Sequence, residues 1–225
     1  MNTMRVAIDG PSGAGKSTLA RAVAADLGFL YVDTGAIYRT VGLYVRDRNV
    51  APGDGAAVAA VLPEIQVELR YDKAGGQRML LNGRDVSEDI RLPEISRYAS
   101  AVSALPEVRA FLLETQRELA QKNHVVMDGR DIGTVVLPDA EVKIFLTASS
   151  QVRAERRCRE LEERGTPQPF QEVLRDIEAR DYLDTHREAA PLRQAEDAVL
   201  LDTSAMDFQE SRSALLGIIR ERTGL

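Results

Sequence analysis

The sequence predicts an α/β fold in which a five-stranded parallel sheet is covered by helices on both faces. Five short apolar runs are spread along the 225 residues, and stretches of helical character separate them. Strands that alternate with helices pair in parallel, because each helix returns the chain to the same end of the sheet. Four of the five runs are followed at once by an aspartate, namely Asp9, Asp33, Asp128 and Asp202. Ligands bind at the carboxyl ends of parallel strands, so these aspartates indicate where a site should lie.

The predicted elements follow one another along the chain. A first strand at residues 6–8 leads through a glycine-rich loop into an alanine-rich helix at 19–27, and the second strand lies at 29–32. Apolar residues at helical spacing predict another helix at 108–120. The remaining strands are predicted at residues 125–127, 142–146 and 198–201.

One segment departs from this alternation and predicts a small antiparallel β insert at residues 63–90. Residues 65–71 alternate apolar and polar side chains, and residues 78–81 form a second short run. The Gly-Gly pair within 73–76 and the Asn-Gly pair at 82–83 are turn signals. We therefore expect a short antiparallel sheet beside the main one.

The length favours one domain with small insertions, because 225 residues are few for two full domains. We assign residues 1–225 to this single domain. Its predicted parts are a core at 1–62, 91–150 and 190–225, the insert at 63–90 and a charged helical region at 151–170.

Residues 10–17 match the phosphate-loop motif G-x-x-x-x-G-K-[ST], and they stand between a predicted strand and a predicted helix. Glycines let the backbone turn its N–H groups onto phosphate oxygens, and the positive end of the following helix lies at the same place. Lys16 is expected to reach the β- and γ-phosphates of ATP or GTP, and the Ser17 hydroxyl to ligate Mg²⁺. The predicted donor-binding residues are Gly10, Pro11, Ser12, Gly13, Ala14, Gly15, Lys16, Ser17 and Thr18.

Charge and composition exclude several classes of function. The formal net charge is −6, whereas proteins that bind a nucleic-acid backbone carry a basic face, so we expect a small anionic ligand in a local basic pocket. Cys158 is the only cysteine, which favours a reducing, cytoplasmic compartment. The chain shows neither a signal-peptide pattern nor an apolar run approaching about 18 residues, so we expect no membrane partner. We expect a monomer, because no long apolar stripe is left over.

Two segments after predicted strands are candidates for binding the phosphate acceptor. Within residues 33–39, Thr34 is a candidate cap for a helix beginning near Ala36, and Arg39 can present its planar fork to a phosphate. Within residues 128–134, the side chain of Arg130 is a candidate phosphate clamp. In the same segment a buried Asp131 would need a partner. A bare helix cap and a charged surface loop are the simpler explanations of these segments.

A helix predicted around residues 175–188 carries Arg180, Asp184 and Arg187 at spacings that place them on one face. A solvated, salt-bridged face explains this spacing equally well. The preceding charged helix, which includes Arg153 and Arg157, ends at a Gly- and Pro-containing stretch that is typical of a hinge. An arginine-bearing lid that excludes water is a known device in phosphoryl transfer.

Taken together, four blocks of the chain resemble the bacterial cytidylate kinases along nearly its whole length. The blocks are residues 8–17, 33–39, 128–134 and 190–192. The resemblance implies a nucleoside monophosphate kinase that uses ATP and Mg²⁺ to phosphorylate CMP and dCMP, with an arginine-rich lid. It also implies that the acceptor is bound by Thr34, Tyr38, Arg39, Ser100, Arg109, Arg130, Asp131, Arg180, Asp184 and Arg187.

Within these implied roles, Ser100, Arg109 and Asp131 read the cytosine base, and Arg180 and Asp184 lie near the ribose. The implied catalytic residues are Lys16, Arg130, Arg187, Arg157 and Arg153. Some relatives carry arginine where this chain has Leu183 and Thr185, so the lid contacts differ among them.

The chemistry of the implied site favours cytosine over uracil. Cytosine presents an exocyclic amino donor where uracil presents an acceptor, and an acceptor-only carboxylate such as Asp131 matches the donor. Three alternatives stay open at this point. They are another P-loop kinase (for AMP, UMP, shikimate or dephospho-coenzyme A), a GTP-driven switch, which the missing Asn-Lys-x-Asp motif disfavours, and a nucleotide-binding protein without turnover.

Overall fold

The computed structural model describes residues 3–72 and 76–225. Within these ranges the chain forms eight strands and eight α-helices. The strands are β1 (Arg5–Asp9), β2 (Leu30–Asp33), β3 (Val67–Tyr71), β4 (Gln77–Leu81), β5 (Arg84–Asp85), β6 (Val125–Gly129), β7 (Val142–Thr147) and β8 (Val199–Asp202). The helices are α1 (Lys16–Leu27), α2 (Thr34–Asp47), α3 (Gly55–Val61), α4 (Pro93–Val102), α5 (Pro106–Lys122), α6 (Ser150–Glu163), α7 (Phe170–His186) and α8 (Phe208–Thr223).

The main sheet confirms the predicted fold class, since it has five parallel strands in the order β2-β6-β1-β7-β8. Each predicted apolar run overlaps one of these strands, although Phe29 and Ala198 lie just before β2 and β8. The register places Ile8 and Asp33 on either side of Asp128 at the carboxyl edge. The sheet geometry therefore brings two of the predicted strand-end aspartates together.

Two apolar clusters cover the two faces of the sheet. One contains buried side chains of α2, α4 and α5, such as Ile37, Ile95 and Leu112. The other contains buried side chains of α1 and α8, such as Val23 and Leu215. The predicted helices at 19–27 and 108–120 lie within α1 and α5. This three-layer arrangement buries both faces of the sheet, as its continuous apolar strands require.

The insert forms a separate antiparallel sheet with strand order β3-β4-β5. The predicted turn at residues 82–83 is observed, with φ angles of 50° at Asn82 and 80° at Gly83. It leads into the short strand β5, which the sequence pattern did not indicate. The other predicted turn falls on residues 73–76, of which 73–75 lie outside the described residues.

Helices α6 and α7 pack on each other through a small apolar cluster of their own, formed by Ala154, Leu161, Val173 and Ile177. The prediction of a helix at 175–188 is wrong at its end, because α7 stops at His186. Arg187 has extended backbone angles (φ −63°, ψ 142°) and lies just beyond the helix. Among the described residues, no helix has the length and apolar character needed to cross a bilayer.

Candidate functional site

A cleft of about 750 Å³ opens at the carboxyl edge of the main sheet. It is lined by the loop after β1, the start of α2, the end of β6, parts of α4, α6 and α7, and the segment leading into α8. Nine basic and six acidic side chains face it. Most of the predicted site residues line this cleft, including Lys16, Ser17, Thr34, Tyr38, Arg39, Ser100, Arg109, Arg130, Asp131, Arg157, Arg180, Asp184 and Arg187.

The phosphate loop joins β1 to α1 and requires glycine at its first position. A Cβ atom on Gly10 would lie 1.9 Å from the carbonyl oxygen of Leu146, so no other residue fits without moving β7. Residues 12–18 of the loop and the first turn of α1 line the cleft. The sequence therefore places backbone N–H groups and a helix N-terminus at one end of the cleft, where an anion is stabilised.

Lys16 lies buried at the base of this loop. Its Nζ atom donates to the carbonyl oxygen of Pro11 at 2.8 Å. Burial, and then the positive charge of Arg130, lower the pKa of Lys16 from its ordinary value. An additional anion beside Lys16 would offset both effects, so this end of the cleft is suited to a polyphosphate.

Ser17 and Asp128 are hydrogen-bonded to each other beside Lys16. The Ser17 hydroxyl donates to one carboxylate oxygen of Asp128 at 2.9 Å, and the Tyr31 hydroxyl donates to the other at 2.8 Å. Burial, and then the charge of Asp33, raise the pKa of Asp128. A hydroxyl and a carboxylate at a phosphate-binding loop suit Mg²⁺, which takes few protein ligands and completes its shell with phosphate and water.

Away from the phosphate loop, the cleft is lined by Asp33, which caps α2. One of its carboxylate oxygens accepts the N–H of Ala36 at 2.9 Å, and the other accepts from Arg39 at 2.8 Å. The prediction that Thr34 caps this helix is wrong, because the Thr34 hydroxyl donates to the carbonyl oxygen of Asp128. The Nε atom of Arg39 is buried and has no partner among the described residues.

Arg130 is held against α7 by an ion pair with Asp184, whose Oδ2 atom is 2.7 Å from the Arg130 Nε. Burial acts to raise the pKa of Asp184, but Arg130, Arg180 and Arg187 outweigh it, and the pKa is lowered. Burial, and then Arg130, lower the pKa of Arg180 to about 10. The Arg180 Nε atom is also buried without a partner among the described residues. These crowded cations would be stabilised by a bound anion.

Asp131 bridges two guanidinium groups beside the loop that follows β6. It contacts Arg109 directly, and one of its oxygens is 3.5 Å from Arg187. Arg109 also lies over the ring of Tyr38, 5.7 Å from the centroid. Ser100 lines the cleft on α4. Two of the three predicted cytosine readers, Arg109 and Asp131, thus meet the ring of Tyr38 at one place.

Helix α6 presents arginines to two different surroundings. Arg157 lines the cleft, and so do Arg156 and Arg159, which sequence reasoning missed. Arg153 instead lies behind the phosphate loop, where it donates to the carbonyl oxygen of Ser12 at 3.0 Å and pairs with Asp181. The catalytic role predicted for Arg153 is untested, and its contacts favour a role in holding the loop.

Asp9 supports the loop that carries Arg130 and Asp131. Its two carboxylate oxygens accept the N–H groups of Ile132 and Gly133, each at 2.8 Å. Asp9 is fully buried, and burial raises its pKa from 3.8 to about 6 despite these two bonds. This carboxyl therefore links the stability of the site to pH.

We expect the stabilising contribution of Asp9 to fall as the pH rises from 4 to 7. The unfolded chain ionises this carboxyl near its ordinary value, whereas the folded chain keeps it protonated until about pH 6. In this range the unfolded state binds fewer protons, so stability decreases with pH, by about 2–3 kcal/mol for this group. The difference in unfolding free energy between wild type and Asp9→Asn, measured by urea titration, should shrink by that amount. A difference that grows with pH would contradict the assignment.

Several residues that line the site or support it had only weak signals in the sequence. Asp128 stands in the motif at 128–134 but was not singled out as a metal partner. Tyr31 lies inside an apolar run, where a tyrosine is an ordinary core residue. The segment before α8 contributes Met206 and Asp207 to the cleft, the first turn of α8 contributes Phe208 and Ser211, and no sequence pattern marks these residues.

Comparison with known proteins gives a consistent result. A family model described as Cytidylate kinase matches residues 6–221. The cytidylate kinase of Carboxydothermus hydrogenoformans is 51% identical over 216 residues, which cover 96% of this chain and 97% of that protein. The cytidylate kinase of Lactobacillus johnsonii is 48% identical over 219 residues, which cover 97% and 95%. That of Clostridium botulinum is 43% identical over 220 residues, which cover 98% and 99%. The similarity extends along nearly the whole of each chain.

Proposed function

The chain belongs to the cytidylate kinase family, and from this premise we propose that it transfers the γ-phosphoryl group of ATP to the 5′-phosphate of CMP or dCMP. The observation that supports the proposal most strongly is the charge arrangement in the cleft. The phosphate loop with Lys16 lies at one end. Arg39, Arg130 and Arg187 line the same cleft on the acceptor side. One cleft thus offers binding groups for two phosphate-bearing molecules.

The reaction needs positioning and charge neutralisation more than acid–base chemistry. The acceptor phosphate is already anionic, so no strong general base is required. Lys16 and Arg130 would stabilise the charge that spreads over the transferring phosphoryl group, and Arg157 and Arg187 would share that role. Arg39 and Arg180 line the cleft, and the buried Nε atom of each has no partner among the described residues, so a small shift of either side chain would offer a donor to the acceptor nucleotide.

Mg²⁺ fits this site through Ser17, with Asp128 as a second oxygen ligand or as the acceptor for a metal-bound water. When bound, the ion neutralises charge on the phosphates of ATP. Tyr31 and Ser17 orient the Asp128 carboxylate from both sides. The remaining lining of the donor end, including Arg156 and Phe208, would surround the base and ribose of ATP.

A screen of phosphate acceptors tests this proposal directly. A coupled assay for ADP release should show the highest kcat/KM with CMP and dCMP, lower values with UMP, and little turnover with AMP, shikimate or dephospho-coenzyme A. Equal activity on AMP or on a small alcohol would contradict the proposal and show that the protein is a different P-loop kinase. ATP binding without turnover on any acceptor would point to a binding protein.

Asp131→Asn is expected to weaken the preference for cytosine. An asparagine amide can donate to the O4 atom of uracil as well as accept from the amino group of cytosine, whereas the carboxylate only accepts. We expect kcat/KM for CMP to fall about 10²-fold or more and the CMP-to-UMP ratio to fall at least tenfold. Asp139→Asn is a matched control, because it makes the same change at an exposed aspartate that pairs with Arg5 and does not line the cleft, and it should leave both values unchanged. An unchanged ratio in Asp131→Asn would show that another group reads the base.

A further inference from the structure

The β insert is tied to the main sheet by side chains that bond to the backbone of β2. The carboxamide of Gln77 accepts the N–H of Asp33 through Oε1 at 2.8 Å and donates from Nε2 to the carbonyl oxygen of the same residue at 3.3 Å. The hydroxyl of Tyr71 donates to the carbonyl oxygen of Tyr31 at 2.9 Å. We call this set of three bonds the seam.

The seam occupies the free edge of the parallel sheet. β2 is an edge strand, and its other side pairs with β6. Leu30 donates toward that neighbour, to the carbonyl oxygen of His124. Successive residues of a strand direct their backbone groups to alternate sides, so Tyr31 and Asp33 present theirs to the open side. Gln77 therefore provides Asp33 with the donor and acceptor that a sixth strand would have supplied.

The residue held in this way, Asp33, lies at the proposed acceptor end of the cleft. The carboxylate of Asp33 caps α2 and pairs with Arg39, and both Asp33 and Arg39 line the cleft. None of the described insert residues, 63–72 and 76–90, lines the cleft. The described part of the insert can therefore influence the acceptor through the residues that it holds, and Gln77 is bonded to the one that pairs with Arg39.

We propose that Gln77 is a positioning residue for the acceptor phosphate, which it influences through the Asp33 backbone and the Arg39 side chain. The inference rests on the proposed function, because it takes the acceptor to be a nucleoside monophosphate. Without the carboxamide, the Asp33 peptide loses both of its edge bonds. The Asp33 carboxylate and the Arg39 guanidinium that pairs with it are then less often in the geometry that binds phosphate.

Gln77→Leu removes both bonds while keeping a side chain of similar size. We expect its KM for CMP, and its Kd for CMP by calorimetry, to rise about 5- to 20-fold, while the KM for ATP changes less than twofold. Tyr71→Phe, which removes one hydroxyl from the seam, should also raise the KM and the Kd for CMP, by a smaller factor. It provides an independent test if Gln77→Leu folds poorly.

Asn82→Asp is the matched control within the insert. It loses the donation to the carbonyl oxygen of Glu64 and leaves the seam intact, so CMP binding should stay at the wild-type value. A double-mutant cycle with Arg39→Met separates positioning from general destabilisation. If Gln77 acts through Arg39, the effect of Gln77→Leu on CMP affinity should largely vanish in the Arg39→Met background.

The outcomes distinguish this inference from the proposed function. A wild-type protein that does not phosphorylate CMP would overturn the proposed function. An active wild type whose Gln77→Leu variant keeps its CMP affinity would overturn only the inference. Equal increases in the KM values for ATP and CMP, or effects that add fully with Arg39→Met, would also overturn it.

Discussion

Replacing Lys16 by methionine is expected to lower kcat about 10²- to 10³-fold, the effect that removal of one preorganised charge from a transferring group usually has. The Lys16 side chain is buried at the base of the phosphate loop, where the surrounding protein screens its charge poorly. Methionine has a similar length and removes only the ammonium group. Steady-state ADP release at saturating ATP and CMP measures the change.

The control for this experiment is Lys122→Met, on the exposed end of α5. Lys122 pairs with Glu118 on the surface and does not line the cleft, so its loss should leave kcat unchanged. Thermal unfolding of both variants checks that the fold is retained. A Lys16→Met protein that folds normally and turns over within threefold of wild type would rule out the role given to the ammonium.

Arg130→Met is expected to affect both activity and stability. If its guanidinium stabilises the transferring phosphoryl group as we propose, its loss should lower kcat/KM about 10²- to 10³-fold. It also leaves the Asp184 carboxylate, which is 7% exposed, without its closest partner. Leaving a buried charge unpaired usually costs about 3–5 kcal/mol. Because Arg180 and Arg187 also lie near Asp184, we expect the free energy of unfolding to fall by about 3 kcal/mol, at the low end of that range.

The double variant Arg130→Met/Asp184→Asn separates the two effects. The neutral asparagine removes the unpaired charge, so we expect most of the lost stability to return in chemical denaturation. Turnover should stay low, because the guanidinium is still missing. Recovery of activity together with stability would mean that Arg130 acts only by holding the fold.

The main sheet could be predicted because each apolar run is short, bounded and followed by a polar residue. Such a run has few alternatives to a buried strand, and the parallel topology follows from the helices between the runs. The position of the cleft then follows from the strand ends. The β insert could be predicted for the same local reason, since alternation and turn residues act over a few positions.

The errors concern contacts between residues far apart in the sequence. Thr34 and Asp33 are both good helix caps, and the choice is decided by Asp128, about ninety residues away, whose carbonyl oxygen accepts the Thr34 hydroxyl. The arginines of α6 occur so close together that spacing does not show which of them faces the loop and which the cleft. Gln77 has no sequence signal at all, because its importance depends on a strand edge that exists only in the folded chain.

The charge pattern of the cleft has a consequence for how quickly nucleotides arrive. The chain as a whole carries a formal charge of −6, yet the nine basic and six acidic side chains of the cleft leave it with an excess of three positive charges. An approaching mononucleotide is small enough to enter this local positive field, whereas a long polyanion also meets the acidic exterior and is repelled. We therefore expect ATP and CMP to bind faster at low ionic strength and more slowly when salt is added. Salt acts by screening the charge of the cleft beyond the Debye length, which is about 10 Å at 0.1 M.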